Sequence, residues 1–559
     1  MGPAIRAALP ELGRRLQAHL KRCVRIDTRT LALFRIVAAL LIVADLALRA
    51  RNFSYFYTDD GVVPRSLVLE VSSGYPFSIY HLTTNSTVIA TLFVLQGLIA
   101  VQLLVGYRTR LATVLSFLFV VSLDHHNPFV LSYADTLFRL LLFWAIFLPL
   151  GERWSVDAVH ADRVPRPSVA NVASALILGQ MVYMYVTNGL IKTQSEVWTG
   201  GNAAPLVLAL DEITFLLGDV VSGFPTLLEY GGLLWFYMLV FAWLLLVLPG
   251  RARMLFVGLF VGGHLAFALT VRIGAFPYVA LAGVVLFLQG QFWDDLETAG
   301  RWLGIEGSRI APGVAALERL ATRVPDYRPD LTLGRRLGLD AERVAGVRAR
   351  TYTLGLGLVV VSMLFVAAVL AANVAPIVVD GEREEPIEER IDETIVDTLE
   401  SSTGVREVET VASSLGIDQP IGWGVFAGPD PRTTDRYYVF PAETTSGERV
   451  DAYSERPLSY DRPSDELQKQ YGTYRERFYM NSVRRGGFYN DVPVHLAEHI
   501  CDRWEADHGE ELAAVNMYMV GEDITRETID DPSSRDRSYT EIYRHGCGDN
   551  DATVIEPPE

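Results

Sequence analysis

Nine apolar runs, most of them close to the length needed to cross a hydrocarbon core, decide what this chain can become. A helix that crosses lipid needs about 20 apolar residues, because its backbone polar groups can be satisfied only within the segment. Such spans are expected at 31–49, 87–106, 111–125, 136–150, 169–191, 230–248, 255–272, 274–292 and 352–374. The first, fifth and ninth are the clearest. The third and fourth are short and meet at Asp124-His125-His126-Asn127-Pro128, and the seventh and eighth share a soft boundary. The remainder of the chain is written for water: residues 376–559 hold 18 Lys/Arg against 41 Asp/Glu, while residues 1–375 hold 31 against 25. The pattern predicts an all-α polytopic membrane bundle of about nine transmembrane helices, followed by a C-terminal α+β domain. It excludes a purely soluble enzyme and a disordered chain. The acidic balance excludes a nucleic-acid binder, which needs a basic face.

Charge also sets the orientation. The connections 1–30, 107–110, 151–168, 249–254 and 293–351 carry 24 Lys/Arg, whereas the opposite set carries only Arg51 and Arg65. The positive-inside rule puts the basic set in the cytoplasm. Nine crossings then leave the C-terminal domain outside, as expected of a multi-pass cell-membrane protein. The expected divisions are a basic cytoplasmic segment 1–30, a transmembrane domain 31–300, a basic cytoplasmic loop 301–351, a ninth helix 352–374 and an acidic extracytoplasmic domain 375–559. The first 30 residues lack the cleavage signature of a signal peptide. Residues 4–22 suit either an amphipathic helix on the inner leaflet or a frayed tail. The sequons at Asn52 and Asn85 agree with an exposed 50–86 loop.

Arginine occurs 46 times, lysine only at Lys21, Lys192 and Lys469. An acidic exterior with Arg in place of Lys suits a halophile, and a GC-rich genome gives the same bias. In the external domain, 437–440, 449–453 and 512–520 read as strands, and 463–482 and 493–508 as helices. The stretch 380–400 reads as a solvated stalk or helix. Cys501 and Cys547 can form a disulfide if that domain faces an oxidising exterior.

Ionisable groups inside a membrane are costly and mark function or pairing. Asp45, Asp124, His125, His126, Asp135, Arg139, Asn188, Lys192, Glu229 and Arg272 all fall toward the outer ends of their spans, with His264 at mid-depth. They suit either one outward-facing polar cavity or separate ion pairs. Lys192 stands out, because a snorkelling anchor in this chain would be arginine. A buried lysine, unlike an arginine, can shed its proton and act as a base. His264 alone suits a core histidine as well as a ligand. His495, Glu498 and His499 spell H-x-x-E-H, but too little chain follows for a third ligand, so no metal centre is expected.

The order Phe34-Arg35, Gly106-Tyr107-Arg108, Trp154-Ser155-Val156-Asp157, Gly189-Leu190-Ile191-Lys192, Trp198-Thr199-Gly200-Gly201, His264, Ile273-Gly274-Ala275-Phe276 and Phe292-Trp293-Asp294 resembles the HTTM membrane domain. That domain is the core shared with vitamin K-dependent γ-glutamyl carboxylase, and the likeness covers about residues 28–300. The tail, with Trp423, Cys501 and Cys547, is similar to the extracellular domains of prokaryotic HTTM proteins. In the carboxylase a luminal lysine amine deprotonates vitamin K hydroquinone, and oxygen turns it into a strong base. That base takes a γ-proton from glutamate so that CO2 adds. The resemblance implies Lys192, His264 and Asp135 as catalytic residues, with Arg139, Asn188, His125 and Trp198 around a menaquinol-type quinol. It implies a lyase or oxidoreductase acting on a secreted or membrane peptide.

Two positions depart from the carboxylase. This chain has one lysine, six residues before Trp198, where the carboxylase has a pair, and Thr193 aligns with the base. Asp135 lies near a position where the carboxylase has histidine. The alternative is a non-enzymatic membrane scaffold, or a peptide-maturation or immunity-type protein, acting through its external domain. Transport is disfavoured by the odd span number and the lack of repeated halves.

Overall fold

The computed structural model describes residue 15, residues 17–71, 77–161, 163–304 and 307–326, residues 346 and 350, and residues 430–558 except 464–466, 487–490 and 530. The ninth expected span, most of the basic loop and the 380–400 stretch lie outside the described residues. The other eight expected spans fall on helices. These are α1 (Thr28–Ala50), α2 (Ser86–Val105), α3 (Thr109–His126), α4 (Tyr133–Ala145), α5 (Val172–Lys192), α6 (Pro225–Val240), α7 (Gly250–Thr270) and α8 (Phe276–Val284). Among the described residues, α1, α2, α5 and α7 are long and apolar enough to cross a membrane alone. The segment Phe276–Phe287 adds a fifth candidate if joined to α9 (Gly290–Trp302), from which it is bent by 98°.

The others stop short for local reasons. Helix α3 carries Asp124, His125 and His126 in its last turn, and α4 ends at Ala145 rather than near residue 150. Helix α6 ends at Val240, with a further short turn at Leu244–Val247. The chain leaves α8 toward the surface before residue 292, so α9 lies outside the core, with no buried residue, and α10 (Gly307–Arg323) follows it.

The starts of α1, α2, α4 and α5 are set by side-chain caps, which satisfy the unpaired N–H groups of a first turn. Asp27 accepts from the Arg29 amide, and Asn85 from those of Thr87 and Val88. Ser132 with Asp135 and Asn171 with Ser174 form reciprocal capping boxes. Asn85 thus caps the start of α2 through its side chain.

At the basic end of the bundle, several short motifs meet. The Arg35 guanidinium is fully buried and donates to the carbonyls of Leu150, Arg153 and Trp154 at 3.1, 3.2 and 2.5 Å. Gly106 has φ of +69°, and a side chain there would strike both Ser155 and Arg35. Asp157 accepts from the amides of Arg108 and Thr109 at 2.9 and 2.7 Å. Trp293 donates to Thr30 at 2.9 Å and meets Trp154 edge to face. A buried Arg whose two terminal nitrogens are held by three carbonyls fixes chain path, since losing any partner would strand a desolvated charge.

The C-terminal domain sits on the opposite end. Its antiparallel sheet runs β3 (Thr434–Val439), β7 (Leu512–Asp523), β4 (Pro441–Thr444), β5 (Arg449–Asp451), β6 (Arg456–Pro457), with β8 (Arg537–Gly546) on β7; β1 (Ile26–Asp27) and β2 (Ser168–Val169) pair separately in the bundle. Strand β7 is long enough to pair with both β3 and β4, at Tyr518–Asp523 and Leu512–Val515. Helix α11 (Tyr474–Arg485) starts later than expected, because Thr473 caps it and Leu467–Gln470 forms a separate turn. Helix α12 (Val492–His508) is joined to the end of β8 by the Cys501–Cys547 disulfide, with Cα atoms 5.8 Å apart. On α12, His495 pairs with Glu498, while His499 packs against Tyr55. Among the described residues no group of three His, Cys, Asp or Glu is arranged to hold a metal.

Candidate functional site

Helix α5 places Tyr185, Asn188 and Lys192 at i, i+3 and i+7, hence on one face and about 10 Å from end to end at 1.5 Å per residue. Lys192 ends the helix and is 0% exposed, and its amine lies 4.8 Å from the Trp198 ring centre. The Ser195 hydroxyl accepts from the Trp198 amide and so caps the short helix Glu196–Thr199 that carries the indole. Trp198 packs on Ala203 and Phe236. Its Nε1 is buried and has no hydrogen-bond partner among the described residues. Gly189 explains how α6 comes so close, for a side chain there would run into the backbone of Leu239 and Val240. Ser195 also donates to Asp430 of the C-terminal domain at 2.5 Å, so that domain reaches this site.

Two turns further down α5, the Tyr185 hydroxyl and His264 Nε2 are 2.6 Å apart. His264 is 0% exposed and ringed by Trp235, Phe260, Phe267 and Phe276. Gly263 leaves the space that the Trp235 ring fills. The pair is apolar on every other side, and the His264 Nδ1 has no partner among the described residues.

Asp135, Arg139 and His125 belong to a different cluster. Asp135 accepts from the Ser132 amide and hydroxyl at 2.8 and 2.9 Å, and from Arg475 of α11 at 2.8 Å. Arg475 also donates to Asp45 at 2.5 Å and to the Val130 carbonyl at 3.1 Å. Arg49 bridges Asp45 and Asp124, both at 2.7 Å, and Arg139 lies 3.5 Å from Asp124. Three carboxylates and three guanidiniums thus close on one another, where an open polar cavity was one of the two expectations. His125 Nδ1 lies 2.9 Å from the Phe77 carbonyl. The His126 ring lies tilted against that of His81, at 5.3 Å between ring centres. Burial, with His126 alongside, pushes the loop residue His81 down to about 4. Arg475 was not legible in advance, since its partners lie more than 300 residues away; only Asp45 and Arg49, one helical turn apart, advertised a pair.

A second seam holds the domains together. Glu212 pairs with Arg432 at 2.7 Å and Arg477 at 2.8 Å, and Asp435 accepts from the amides of Asp211 and Glu212 and from Arg535. Two cavities of about 180 and 230 Å³ open at the domain junction and in the C-terminal domain, and neither is lined by Lys192 or His264.

Comparison with known proteins adds one finding to this geometry. Residues 24–293 match the HTTM domain family, which occurs in vitamin K-dependent gamma-carboxylase-like membrane proteins. No curated protein and no solved structure matches the chain. The matched range begins just before α1 and ends within α9, and it encloses both the Arg35 clamp and the Lys192 face. Residues 24–293 of this membrane protein are therefore an HTTM domain.

Proposed function

We propose that the HTTM domain is a quinol- and oxygen-dependent enzyme of the carboxylase or epoxidase kind, with Lys192 as its base and the C-terminal domain on the extracytoplasmic side. The observation that carries this reading is the fully buried Lys192 amine set over the Trp198 ring, at the bundle end that the C-terminal domain covers. Lysine at this point has a chemical reason. Guanidinium holds its proton, while an amine kept from water can give one up and then take one from an acidic hydroxyl. The 24-to-2 split of basic residues supports the orientation. So does the Cys501–Cys547 bond, since disulfides persist in oxidising compartments.

The residues fit a quinol. The Trp198 N–H, without a hydrogen-bond partner among the described residues, is a donor for a quinol oxygen, and the cluster of Trp198 and Phe236 supplies apolar surroundings. A vitamin K-type quinol bound there supplies electrons and, with oxygen, a base strong enough to remove a carbon-bound proton. Lys192 takes the hydroxyl proton, and Asn188, one turn away, orients the ring. Burial of Trp198, Ala203 and Phe236 keeps water from a site where a strong base must survive. His264 and Tyr185 lie two turns deeper and hold the α5–α7 spacing through their hydrogen bond. Asp135, Arg139 and His125 act at a distance, by fixing the α3–α4 corner.

The test uses full-length protein in lipid nanodiscs with menaquinol, oxygen, labelled bicarbonate and glutamate-containing peptides. Quinone epoxide is expected from wild type, with label fixed when the right peptide is present. Absence of epoxide from wild type, or equal amounts from wild type and Lys192→Ala, overturns the reading and leaves the scaffold role of the external domain.

A further inference from the structure

The 180 Å³ cavity lies where the two parts of the molecule meet at the bundle's edge. Leu48 and Arg51 from the end of α1, Ala268 and Arg272 from the end of α7, Tyr278 of α8 and Tyr474 of α11 line it. Its lower wall is apolar and continuous with the side of the bundle, since Leu48 and Tyr278 are 37% and 47% exposed. Its rim holds two guanidiniums. Among the described residues neither Arg51 nor Arg272 is paired with a carboxylate. Arg272 is oriented by the carbonyls of Gln468, Tyr471 and Gly472, at 2.7, 3.3 and 3.2 Å. The nearby Glu476 carboxylate is taken up by the Tyr453 hydroxyl and the Gly472 amide, at 2.8 and 2.7 Å. Gly274, with φ of +82°, leaves the space in which the Tyr474 ring closes one wall.

Two like charges beside one concavity, neither paired with a carboxylate as Arg49, Arg475 and Arg535 are, leave a positive field open to an anion. The depth matters too. Helices α1 and α7, long and apolar enough to cross a membrane, end at Ala50 and Thr270 beside these guanidiniums, so a bilayer that they cross brings its headgroups to the rim and its acyl chains to the apolar wall. We propose that this cavity binds an anionic amphiphile, its phosphate held between Arg51 and Arg272 and its chain laid along Leu48, Ala268 and Tyr278. Because Gly472–Tyr474 also form the wall, a bound headgroup ties the C-terminal domain to the bundle. The inference is independent of any chemistry at Lys192.

The experiment is a titration of the detergent-purified full chain, read by native mass spectrometry and by melting temperature. The probes are phosphatidylglycerol, phosphatidylcholine of the same chain length, and sodium phosphate. Phosphatidylglycerol is expected to bind and raise the melting temperature, and phosphatidylcholine to bind far less. Arg51→Gln is expected to weaken phosphatidylglycerol by roughly fivefold, as loss of one headgroup-level cation should. Ala268→Phe, which fills the apolar wall, is expected to weaken the lipid but not inorganic phosphate. Equal binding of the two lipids, or no effect of Arg51→Gln in a protein that melts as wild type does, overturns the site. Inorganic phosphate binding as tightly as phosphatidylglycerol, with Ala268→Phe silent, overturns the lipid assignment in favour of a soluble anion.

Discussion

The cluster around Arg475 and the face of α5 around Lys192 both bury ionisable groups near the same end of the bundle, and they bury them in opposite ways. Around Arg475, Asp45, Asp124 and Asp135 meet Arg49, Arg139 and Arg475 within a shell of direct ion pairs. Around α5, Lys192 lies over an indole and His264 lies among aromatic rings beside a tyrosine hydroxyl. Charges that neutralise one another hold a shape and have little freedom to exchange protons. The α5 groups are instead held by a hydrogen bond and a ring contact. The first arrangement is the joint between bundle and C-terminal domain; the second has the makings of a reaction site.

The contrast breaks most visibly at Arg475. Arg475→Ala leaves Asp45 and Asp135 buried beside fewer cations, which costs about 3–5 kcal/mol for a buried pair stripped of one member. Denaturant melts should show that loss, and limited proteolysis should release residues 430–558 early; a shift under 1 kcal/mol would make the joint incidental. Cys501→Ser comes next. Opening a bridge across a separation of 46 residues costs about 3 kcal/mol, confined to the C-terminal domain. A reducing agent should have the same effect on wild type and none on the variant.

A pH test probes the joint from its far side. His81, held at about 4 by burial, is neutral in the folded protein, while the unfolded chain takes up a proton near 6.5. Stability is therefore whole above pH 6.5 and falls as the pH drops from 6.5 to 4, by about 2 kcal/mol. Melting temperatures of wild type and His81→Phe should converge in their pH slope only if another group is responsible. The smallest effect belongs to the second region. Trp198→Phe keeps an aromatic ring but removes the pyrrole part of the indole with its N–H, so stability should fall by about 1 kcal/mol while the KM for quinol rises roughly fivefold.

Much of the bundle was readable because lipid imposes one rule on every span, and eight of the apolar runs fell on helices. Lys192 was readable for a compositional reason, being a lysine where the chain otherwise writes arginine. The Arg35 clamp was readable only as spacing; that Phe34-Arg35, Gly106, Ser155 and Trp293 converge needs the packed bundle. Helix α11 was misplaced at its start because the capping Thr473 and the turn before it are local signals weaker than the amphipathic pattern of 463–482. Strand β8 was missed altogether. Its exposed residues Arg537, Ser538, Thr540 and Glu541 carry no apolar alternation, and it is a strand because β7 pairs with it along its length. Arg475 escaped for the same reason, since ion pairs across the chain leave no periodicity to read.

The reaction-site claim rests on one amine, and comparing three proteins tests it directly. Wild type, Lys192→Ala and Lys192→Arg are assayed for oxygen-dependent menaquinol epoxidation, with and without added ethylamine. Turnover is expected from wild type alone, with ethylamine restoring part of it to Lys192→Ala but none to Lys192→Arg, whose guanidinium fills the site without yielding its proton. Turnover of similar size in all three, untouched by ethylamine, contradicts it.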